Sequence, residues 1–234
     1  MIPLKDGTET SDPRLNRLVQ FDEKSRQYPV MATLGGLKPR SYTWAGGPVL
    51  DQGPDGACVG FAMTHELAAR PAVVKGRGPS FAKEKVYWEA QKIDAWPGGS
   101  YPGASPRYEG TSVLAGIKMM QKMGYIKEYR WAFGLDDLVM AVGYKGPAVL
   151  GIPWYEGMYT PGHCGYIHIG GKMVGGHAIL CRGVSVKNRT FLLQNSWGPN
   201  WGKNGTALIS WEDMDRLLHE RGEAVIPTIR TKKR

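Results

Sequence analysis

The chain has 234 residues and a formal net charge of +9, with 42% hydrophobic and 22% charged residues. This composition is typical of a folded protein of one domain or two lobes, and it excludes a disordered low-complexity chain. Three cysteines are too few for a disulfide framework, and no uncharged apolar stretch reaches the roughly 20 residues that span a bilayer.

The first 43 residues differ in character from the rest of the chain. They are polar, they are interrupted by four prolines, and only Arg14–Leu18 shows a short helical pattern. We therefore expect residues 1–43 to form an N-terminal arm that lies over the surface of a domain spanning residues 44–234.

Helical spacing of apolar residues follows in the first half of that domain. The first predicted helix begins at Cys58 and runs to about Arg70. A second covers Phe81–Ile93 after Ser80, a residue type that caps helices, and a third covers Thr111–Gly124. One stripe of the first helix is expected to be buried: Phe61, Ala62, His65 and Ala69.

The second half changes to strand-like runs separated by glycine turns. A short helix near Leu135–Val142 comes first, and Ser210 resembles the cap of a last helix that ends at Gly222. Between them, strands are predicted at 146–152, Tyr166–Ile169, Gly176–Cys181, Thr190–Gln194 and Thr206–Ser210. Helices followed by strands predict an α+β fold, with a helical lobe at about 44–134, a β-rich lobe at about 135–234 and a cleft between them.

Cys58 occupies an unusual place in the sequence LDQGPDGACVGFA, where a glycine-rich turn leads into the first predicted helix. Backbone N–H groups and the helix dipole at such a position favour the thiolate over the thiol. The thiolate is the attacking form of cysteine, so this placement indicates a nucleophile. The other interpretation is a small buried residue, as free cysteines usually are.

Two later segments supply what a cysteine nucleophile needs. His177 lies in the run GGHAIL, and Asn195 lies in QNSWGPNWG together with Trp197 and Trp201. An imidazole can act as a general base, and a side-chain amide can orient the ring without adding a charge. Without such roles, His177 would be a core histidine, Asn195 a turn residue and the tryptophans core aromatics.

These segments resemble the active-site segments of the papain-like cysteine peptidases, in which Cys, His and Asn follow in this order. His177 lies 119 residues after Cys58, and Asn195 lies 18 residues after His177. The resemblance covers about residues 44–209 and implies a papain-like two-lobed fold with the active site in the cleft. It implies that Cys58 is the nucleophile, that His177 is its acid and base, and that Asn195 orients the ring.

The same resemblance implies further roles. Gln52, six positions before Cys58, is expected to bind the oxyanion together with the Cys58 backbone N–H. Trp197 is expected to shield the His–Asn pair from water, and the Cys58 thiolate is expected to face a protonated His177 across the cleft. Substrate binding is assigned to Gly110, Ser112, Ala178 and Trp201. The mechanism requires no metal and no organic cofactor.

The chain also departs from the family pattern. Asp55 stands where the family usually has a cysteine, so that disulfide cannot form, and Val59 replaces the usual aromatic after the nucleophile. The stretch CVGFA, with FDEKS upstream, resembles disulfide-free bacterial and phage members, which implies a cytoplasmic location in a bacterial or phage-infected cell, or a virion. The family's helical pro-segment is longer than residues 1–43, so the arm is not expected to be a full-length inhibitory pro-segment.

The expected function is hydrolysis of peptide bonds in protein or peptide substrates through a Cys58 thioester. The same site could transfer an acyl group or cut a cell-wall peptide, and the fold could also serve a catalytically silent binding protein. The charge of +9, densest at residues 230–234, is compatible with an anionic partner or simply with a solubilising surface. Neither a nucleic acid nor a membrane is expected as a partner.

Overall fold

The computed structural model describes residues 1–231, so most of the basic cluster at 230–234 lies outside the described residues. The α-helices are α1 (Glu23–Arg26), α2 (Cys58–Ala68), α3 (Trp88–Gln91), α4 (Val113–Lys122), α5 (Leu135–Tyr144) and α6 (Trp211–His219). The strands are β1 (Ile2–Pro3), β2 (Glu9–Thr10), β3 (Arg17–Leu18), β4 (Tyr42–Thr43), β5 (Thr111–Ser112), β6 (Ile126–Ala132), β7 (Ala148–Tyr155), β8 (Met173–Ser185), β9 (Thr190–Gln194), β10 (Thr206–Ser210) and β11 (Glu223–Arg230). Short 3₁₀ helices cover Val30–Thr33 and Glu156–Met158, and a π-helical stretch, Phe81–Tyr87, leads into α3.

A large antiparallel sheet dominates the second half of the chain. Its strands lie in the order β10-β9-β8-β7-β11-β6, with β4 beside β8, and each neighbouring pair is antiparallel. Because β6 precedes residue 135, the sheet takes in residues from both sides of the expected lobe boundary. Helices packed on an antiparallel sheet confirm the predicted α+β class.

The two faces of the sheet contribute to two hydrophobic cores. Along β7, Leu150 and Ile152 belong to the core that includes residues of α5 and α6, whereas Val149 belongs to the core that includes residues of α2 and α4. This alternation is expected of a strand that is covered on both faces. Helix α2 packs against both β8 and the π-helical stretch, and so all of its residues from 58 to 67 are buried, as is Ala69, the last residue of the predicted stripe.

A buried ion pair links α2 to strand β11. Glu66 of α2 and Arg230 of β11 approach to 2.7 Å, and both side chains are almost fully removed from solvent. Arg230, which the sequence analysis grouped with the basic cluster, is therefore held within the fold by its ion pair with Glu66.

The local patterns predicted several elements well. Helix α2 begins at Cys58 as predicted, and strands β9 and β10 have the predicted bounds. The Ser210 side chain accepts a hydrogen bond from the Asp213 N–H and caps α6, as expected.

Other element predictions were wrong. Ser80 has helical backbone angles and lies inside the second helical segment, so its side chain caps nothing. The Tyr166–Ile169 segment forms only a single bridge, from Tyr166 to Leu208. Strands β6 and β11 were missed, and they pair with each other across almost 100 residues of sequence, a partnership that no local pattern reveals.

The N-terminal arm, residues 1–43, passes between the two halves of the domain. Strand β3 pairs in parallel with β5, and the adjoining Asn16 bridges to Gly176 of β8. The helical pattern at Arg14–Leu18 was therefore misleading, because this stretch is extended and gains backbone partners on both sides. Leu15 and Leu18 are buried there, so the arm crosses the cleft as a packed part of the fold.

Candidate active site

Cys58 is the first residue of α2 and is fully buried. Ala57, the residue before the helix, makes no side-chain cap, so the first N–H groups of α2 have no partner from a capping side chain. The arm covers the sulfur: Sγ lies 3.5 Å from Oδ1 of Asn16. The nucleophile predicted from sequence thus sits at a helix N-terminus with the arm directly above it.

His177 lies on β8 and is held by Asn195, as the resemblance implied. Nε2 of His177 is 2.7 Å from Oδ1 of Asn195, and both residues are fully buried. The other ring nitrogen, Nδ1, lies 3.3 Å from the backbone oxygen of Arg14 in the arm. A neutral ring donates to only one of these two oxygens, and the tautomer decides which.

The expected thiolate–imidazolium pair is not present while the arm covers the site. Burial raises the pKa of the Cys58 thiol to about 11, against the lowering effect of hydrogen bonds from the backbone of Ala178 and Asn16. Burial also lowers the pKa of His177 to about 4, although its hydrogen bond with Asn195 acts in the other direction. Desolvation outweighs the helix terminus here, so the covered site holds a neutral thiol and a neutral imidazole.

The Gln52 side chain is held by Ser196, which lies in the segment that also carries Asn195. Its Oε1 accepts a hydrogen bond from the Ser196 hydroxyl at 2.7 Å, and its Nε2 donates to the Asp55 carbonyl at 2.7 Å. The Gln52 backbone N–H also donates to the Ser196 carbonyl at 2.8 Å. Ser196 therefore connects the turn before Cys58 to the Asn195 segment, a link that only the fold reveals.

Three tryptophans form a wall around the histidine. Trp197 lies with its ring 5.0 Å from that of His177, where it can shield the His–Asn pair. Trp154 of β7 approaches His177 more closely, at 4.7 Å edge to face. Trp201 packs against Trp197 and donates to the Tyr159 carbonyl. Sequence reasoning missed Trp154, because its position opposite β8 depends on strand pairing.

Three of the four predicted substrate-binding residues lie along the path of the arm. A Cβ at Gly110 would stand 2.9 Å from the Asn16 carbonyl oxygen. Ser112 pairs with Leu18 in the β3–β5 ladder and caps α4. Ala178 contributes its backbone to the surroundings of the Cys58 sulfur. Trp201 is buried in the tryptophan wall instead.

A buried polar network supports the Gly110 loop. The Tyr87 hydroxyl accepts from the Gly110 N–H at 2.9 Å and donates to Glu109 at 2.7 Å, while Gln91 donates to the Gly110 carbonyl at 3.0 Å. Tyr87 and Gln91 were not singled out from sequence, because tyrosine and glutamine on a helix have no distinctive spacing. Two charged residues beside the cleft, Arg17 and Glu223, were also missed.

Within residues 1–231, no group of three or more histidine, cysteine and acidic side chains could hold a metal ion. None of the described helices combines the length and apolar character that crossing a bilayer requires. Cys58, Cys164 and Cys181 are all free, so the chain is without disulfides.

Curated relatives of the chain are cysteine proteinases. The oryzain gamma chain of Oryza sativa subsp. japonica is 27% identical over 188 residues, and the thiol protease aleurain of Arabidopsis thaliana is 26% identical over 190. Each match covers 68% of this chain and 50% or 51% of the relative. The chain thus spans about half the length of the curated relatives it matches. No family model matches the chain.

Solved structures show the same fold. Xylellain, a cysteine protease from Xylella fastidiosa, superposes with a TM-score of 0.66 at 20% identity and covers 95% of this chain and 99% of its own. That coverage extends the likeness in fold over nearly all of residues 1–234. The chain is therefore similar in sequence to plant thiol proteases and shares the papain-like fold.

Proposed function

We propose that the protein is a cysteine peptidase that hydrolyses peptide bonds with Cys58 as nucleophile and His177 as acid and base. The observation that supports it most directly is the site itself: a cysteine at the start of α2, and a histidine held by Asn195 at 2.7 Å on the facing strand. The relatives in sequence are named as proteinases.

In this mechanism, His177 takes the proton of the Cys58 thiol, and the sulfur attacks the peptide carbonyl carbon and forms a C–S bond, while the carbonyl π electrons move onto oxygen. The Gln52 side-chain amide and the Cys58 backbone N–H stabilise the oxyanion. His177 then protonates the departing amine as the C–N bond breaks. It next removes a proton from water, which hydrolyses the thioester and restores the thiol. Asn195 keeps the ring in the orientation for both transfers.

The arm must leave the cleft before a substrate can enter. Asn16 stands over Cys58 and the carbonyl oxygen of Arg14 contacts His177, and Asn16 and the neighbouring Leu15 are buried in the covered form. Displacing them returns water and substrate to the site, which removes the desolvation that keeps Cys58 a thiol and His177 neutral. The covered form is therefore proposed to be latent.

The test compares casein cleavage by the full chain and by the Leu15→Asp variant. Leu15 is fully buried in the arm, so an aspartate there would bury an unpaired charge and drive the arm out of the cleft. We expect Leu15→Asp to release new amino termini from casein at least 10-fold faster than wild type. Leu15→Asp/Cys58→Ala should release none, and Leu15→Asp/Gln52→Ala should lose about 10²–10³-fold in rate.

Cleavage that persists in Leu15→Asp/Cys58→Ala would belong to a contaminant and overturn the proposal. Release of amino termini from purified peptidoglycan, with casein intact, would identify a cell-wall amidase instead. Failure of iodoacetamide to alkylate Cys58 in Leu15→Asp would point to a catalytically silent protein.

A further inference from the structure

Lys5, near the beginning of the arm, places a buried ammonium group beside the end of α3. Its Nζ lies 2.7 Å from Oδ1 of Asp94, and neither side chain is exposed to solvent. The same nitrogen donates a hydrogen bond to the Gln91 carbonyl at 2.6 Å. Lysine is almost never fully buried unless it is paired, and charge-assisted hydrogen bonds are stronger than neutral ones. The first residues of the arm are therefore firmly attached to the domain.

The backbone around Lys5 makes a second attachment. The Lys5 N–H donates to the Glu109 carbonyl at 3.0 Å, and the Glu109 N–H donates to the Pro3 carbonyl at 3.1 Å. Leu4, between them, forms a parallel bridge with Glu109, and its side chain is buried. Residues 3–5 thus run alongside the Gly110 loop as an added strand would.

Asp94 connects Lys5 to the wall of the cleft. Its Oδ1 accepts a hydrogen bond from Lys5, and its Oδ2 accepts one from the Thr111 hydroxyl at 2.8 Å. Thr111 follows Gly110, where a Cβ would stand 2.9 Å from the carbonyl oxygen of Asn16 in the covering part of the arm. Burial raises the pKa of the Asp94 carboxyl, and the hydrogen bond from Lys5 acts to lower it. Without Lys5, this buried carboxylate would lose the cation that lies against it.

The part of the arm above the catalytic residues has longer polar contacts. Asn16 Oδ1 lies 3.5 Å from the Cys58 sulfur, and the Arg14 carbonyl oxygen lies 3.3 Å from Nδ1 of His177. The two contacts of the Lys5 ammonium group are 2.6 and 2.7 Å long. The polar groups therefore hold the covering part less tightly than they hold the beginning of the arm.

The arm is fixed again beyond its covering part. The Tyr28 carbonyl accepts a hydrogen bond from the Trp131 N–H at 3.1 Å. Val30 and Leu34 are buried in the core that includes residues of α5 and α6. The covering part therefore lies between two fixed ends, and a segment held in this way opens as a loop while its ends stay in place.

We propose that Lys5 is a positioning residue of the open peptidase, and that residues 3–5 stay on the domain when residues 11–18 leave the cleft. The inference rests on the proposed peptidase function. Lys5 acts through Asp94 and Thr111, which keep the Gly110 loop in place as one wall of the open cleft. Removing the Lys5 charge leaves a buried carboxylate unpaired, so a smaller fraction of the molecules has a loop that is ready to bind substrate.

Hydrogen exchange, measured residue by residue, tests which part of the arm leaves the cleft. It compares wild type with Leu15→Asp, the variant designed to open the arm. The amides of residues 15–18 should lose at least about 100-fold in protection, whereas those of Lys5 and Glu109 should stay within about 10-fold of wild type. Equal loss at both places, or no loss at either, would overturn the proposal.

Peptide hydrolysis in the Leu15→Asp background tests the positioning role. We expect Lys5→Met to raise KM at least about 5-fold and to leave kcat within about 2-fold, because substrate and transition state lose the same binding. The matched control is Lys92→Met, which removes an exposed ammonium group paired with Glu89. Its KM should equal that of the parent, and a Lys5→Met variant with the same KM as this control would contradict the positioning role.

A double variant separates positioning through Asp94 from a general loss of packing. In Lys5→Met/Asp94→Asn, no buried carboxylate is left unpaired, and the asparagine oxygen can still accept from the Thr111 hydroxyl. KM should return to within about 2-fold of the parent. A double variant as impaired as Lys5→Met would show that Lys5 does not act through Asp94 and would overturn its assigned role. Failure of the proposed function would appear differently, as a Leu15→Asp variant that leaves casein intact, because hydrogen exchange in the arm requires no catalysis.

Discussion

At the scale of single residues, the site depends on groups that position the reacting side chains. Asn195 holds His177, and Ser196, the next residue, holds Gln52 through its hydroxyl and through its carbonyl oxygen. One short segment therefore orients both the base and the oxyanion donor. Only the Asn195 half of this arrangement follows from the motif, because the Ser196 contact depends on a turn 144 residues earlier in the chain.

Replacing Ser196 should impair the oxyanion donor without removing it. In Ser196→Ala, Gln52 loses the 2.7 Å hydrogen bond to its Oε1 but keeps its bond to the Asp55 carbonyl. We expect kcat to fall by less than the ~10²–10³-fold cost of losing an oxyanion donor outright, with KM nearly unchanged. Peptide hydrolysis in the Leu15→Asp background measures both constants.

The matched control is Ser185→Ala, which removes a hydroxyl that accepts a hydrogen bond from the exposed Asn188 N–H. Its kcat should equal that of the parent. A Ser196→Ala variant as active as this control would show that Gln52 does not need Ser196 for its position.

At the scale of elements, the arm is the component that sequence patterns described least well. The stretch Arg14–Leu18 has helical spacing, yet it is extended, because its backbone pairs with β5 on one side and β8 on the other. Those partners lie more than 90 residues away in sequence. Local propensity is a weak prior wherever such long-range pairing is available.

The catalytic motifs, in contrast, could be predicted because their positions depend on local sequence and not on distant partners. Cys58 at a helix start, and Asn195 directly after a strand, are positions defined by their immediate neighbours. The charge states could not be predicted, because the pKa of Cys58 depends on the arm that covers it. The helix cap predicted at Ser80 was wrong because Ser80 itself already has helical backbone angles.

Gly56 should control how the arm sits over Cys58. A Cβ at residue 56 would overlap the side-chain amide of Asn16 and approach Oε2 of Glu109 to 2.8 Å. We therefore expect Gly56→Ala to push Asn16 off the sulfur and to raise the rate of Cys58 alkylation by iodoacetamide several-fold. Intact-mass measurements on a chain carrying Cys164→Ser, which removes the exposed thiol, give the rate.

Gly78→Ala is the control for this substitution, because no atom lies within 4 Å of the Cβ position at residue 78. Its alkylation rate should match that of wild type. If Gly56→Ala also matched wild type, the Asn16 contact would not be what protects the thiol.

At the scale of the whole molecule, the fold buries several ionisable groups whose effects on stability have different signs. His65 and His177 are buried with pKa values of about 4, so each makes the free energy of unfolding larger at neutral pH than at acidic pH. Glu223 is buried with a pKa of about 7, so its contribution decreases as pH rises from 4.5 to 7. The net pH dependence of stability is thus a sum of opposing terms, and a single substitution is needed to isolate one of them.

His65 of α2 offers that substitution, because it lies outside the proposed catalytic machinery. Its Nε2 accepts a hydrogen bond from the Leu50 N–H at 3.1 Å, and desolvation, followed by the charge of Arg182, lowers its pKa to about 4 from the usual 6.5. A lowered histidine pKa means that the unfolded chain binds more protons than the folded chain between pH 6.5 and 4. The stabilisation by neutral His65 is therefore complete above about pH 6.5 and is lost as pH falls towards 4, by up to about 3 kcal/mol.

Denaturant unfolding of wild type and His65→Gln between pH 4 and pH 8 measures this contribution. The free energy of unfolding of wild type should fall more steeply on acidification, so the gap between the two proteins narrows from pH 6.5 to pH 4 and stays constant above pH 7. His177 and Glu223 are present in both proteins, and their terms cancel in the difference. A gap that does not change with pH would mean that His65 becomes protonated in the folded protein as readily as in the unfolded chain, and that the interior of α2 admits water.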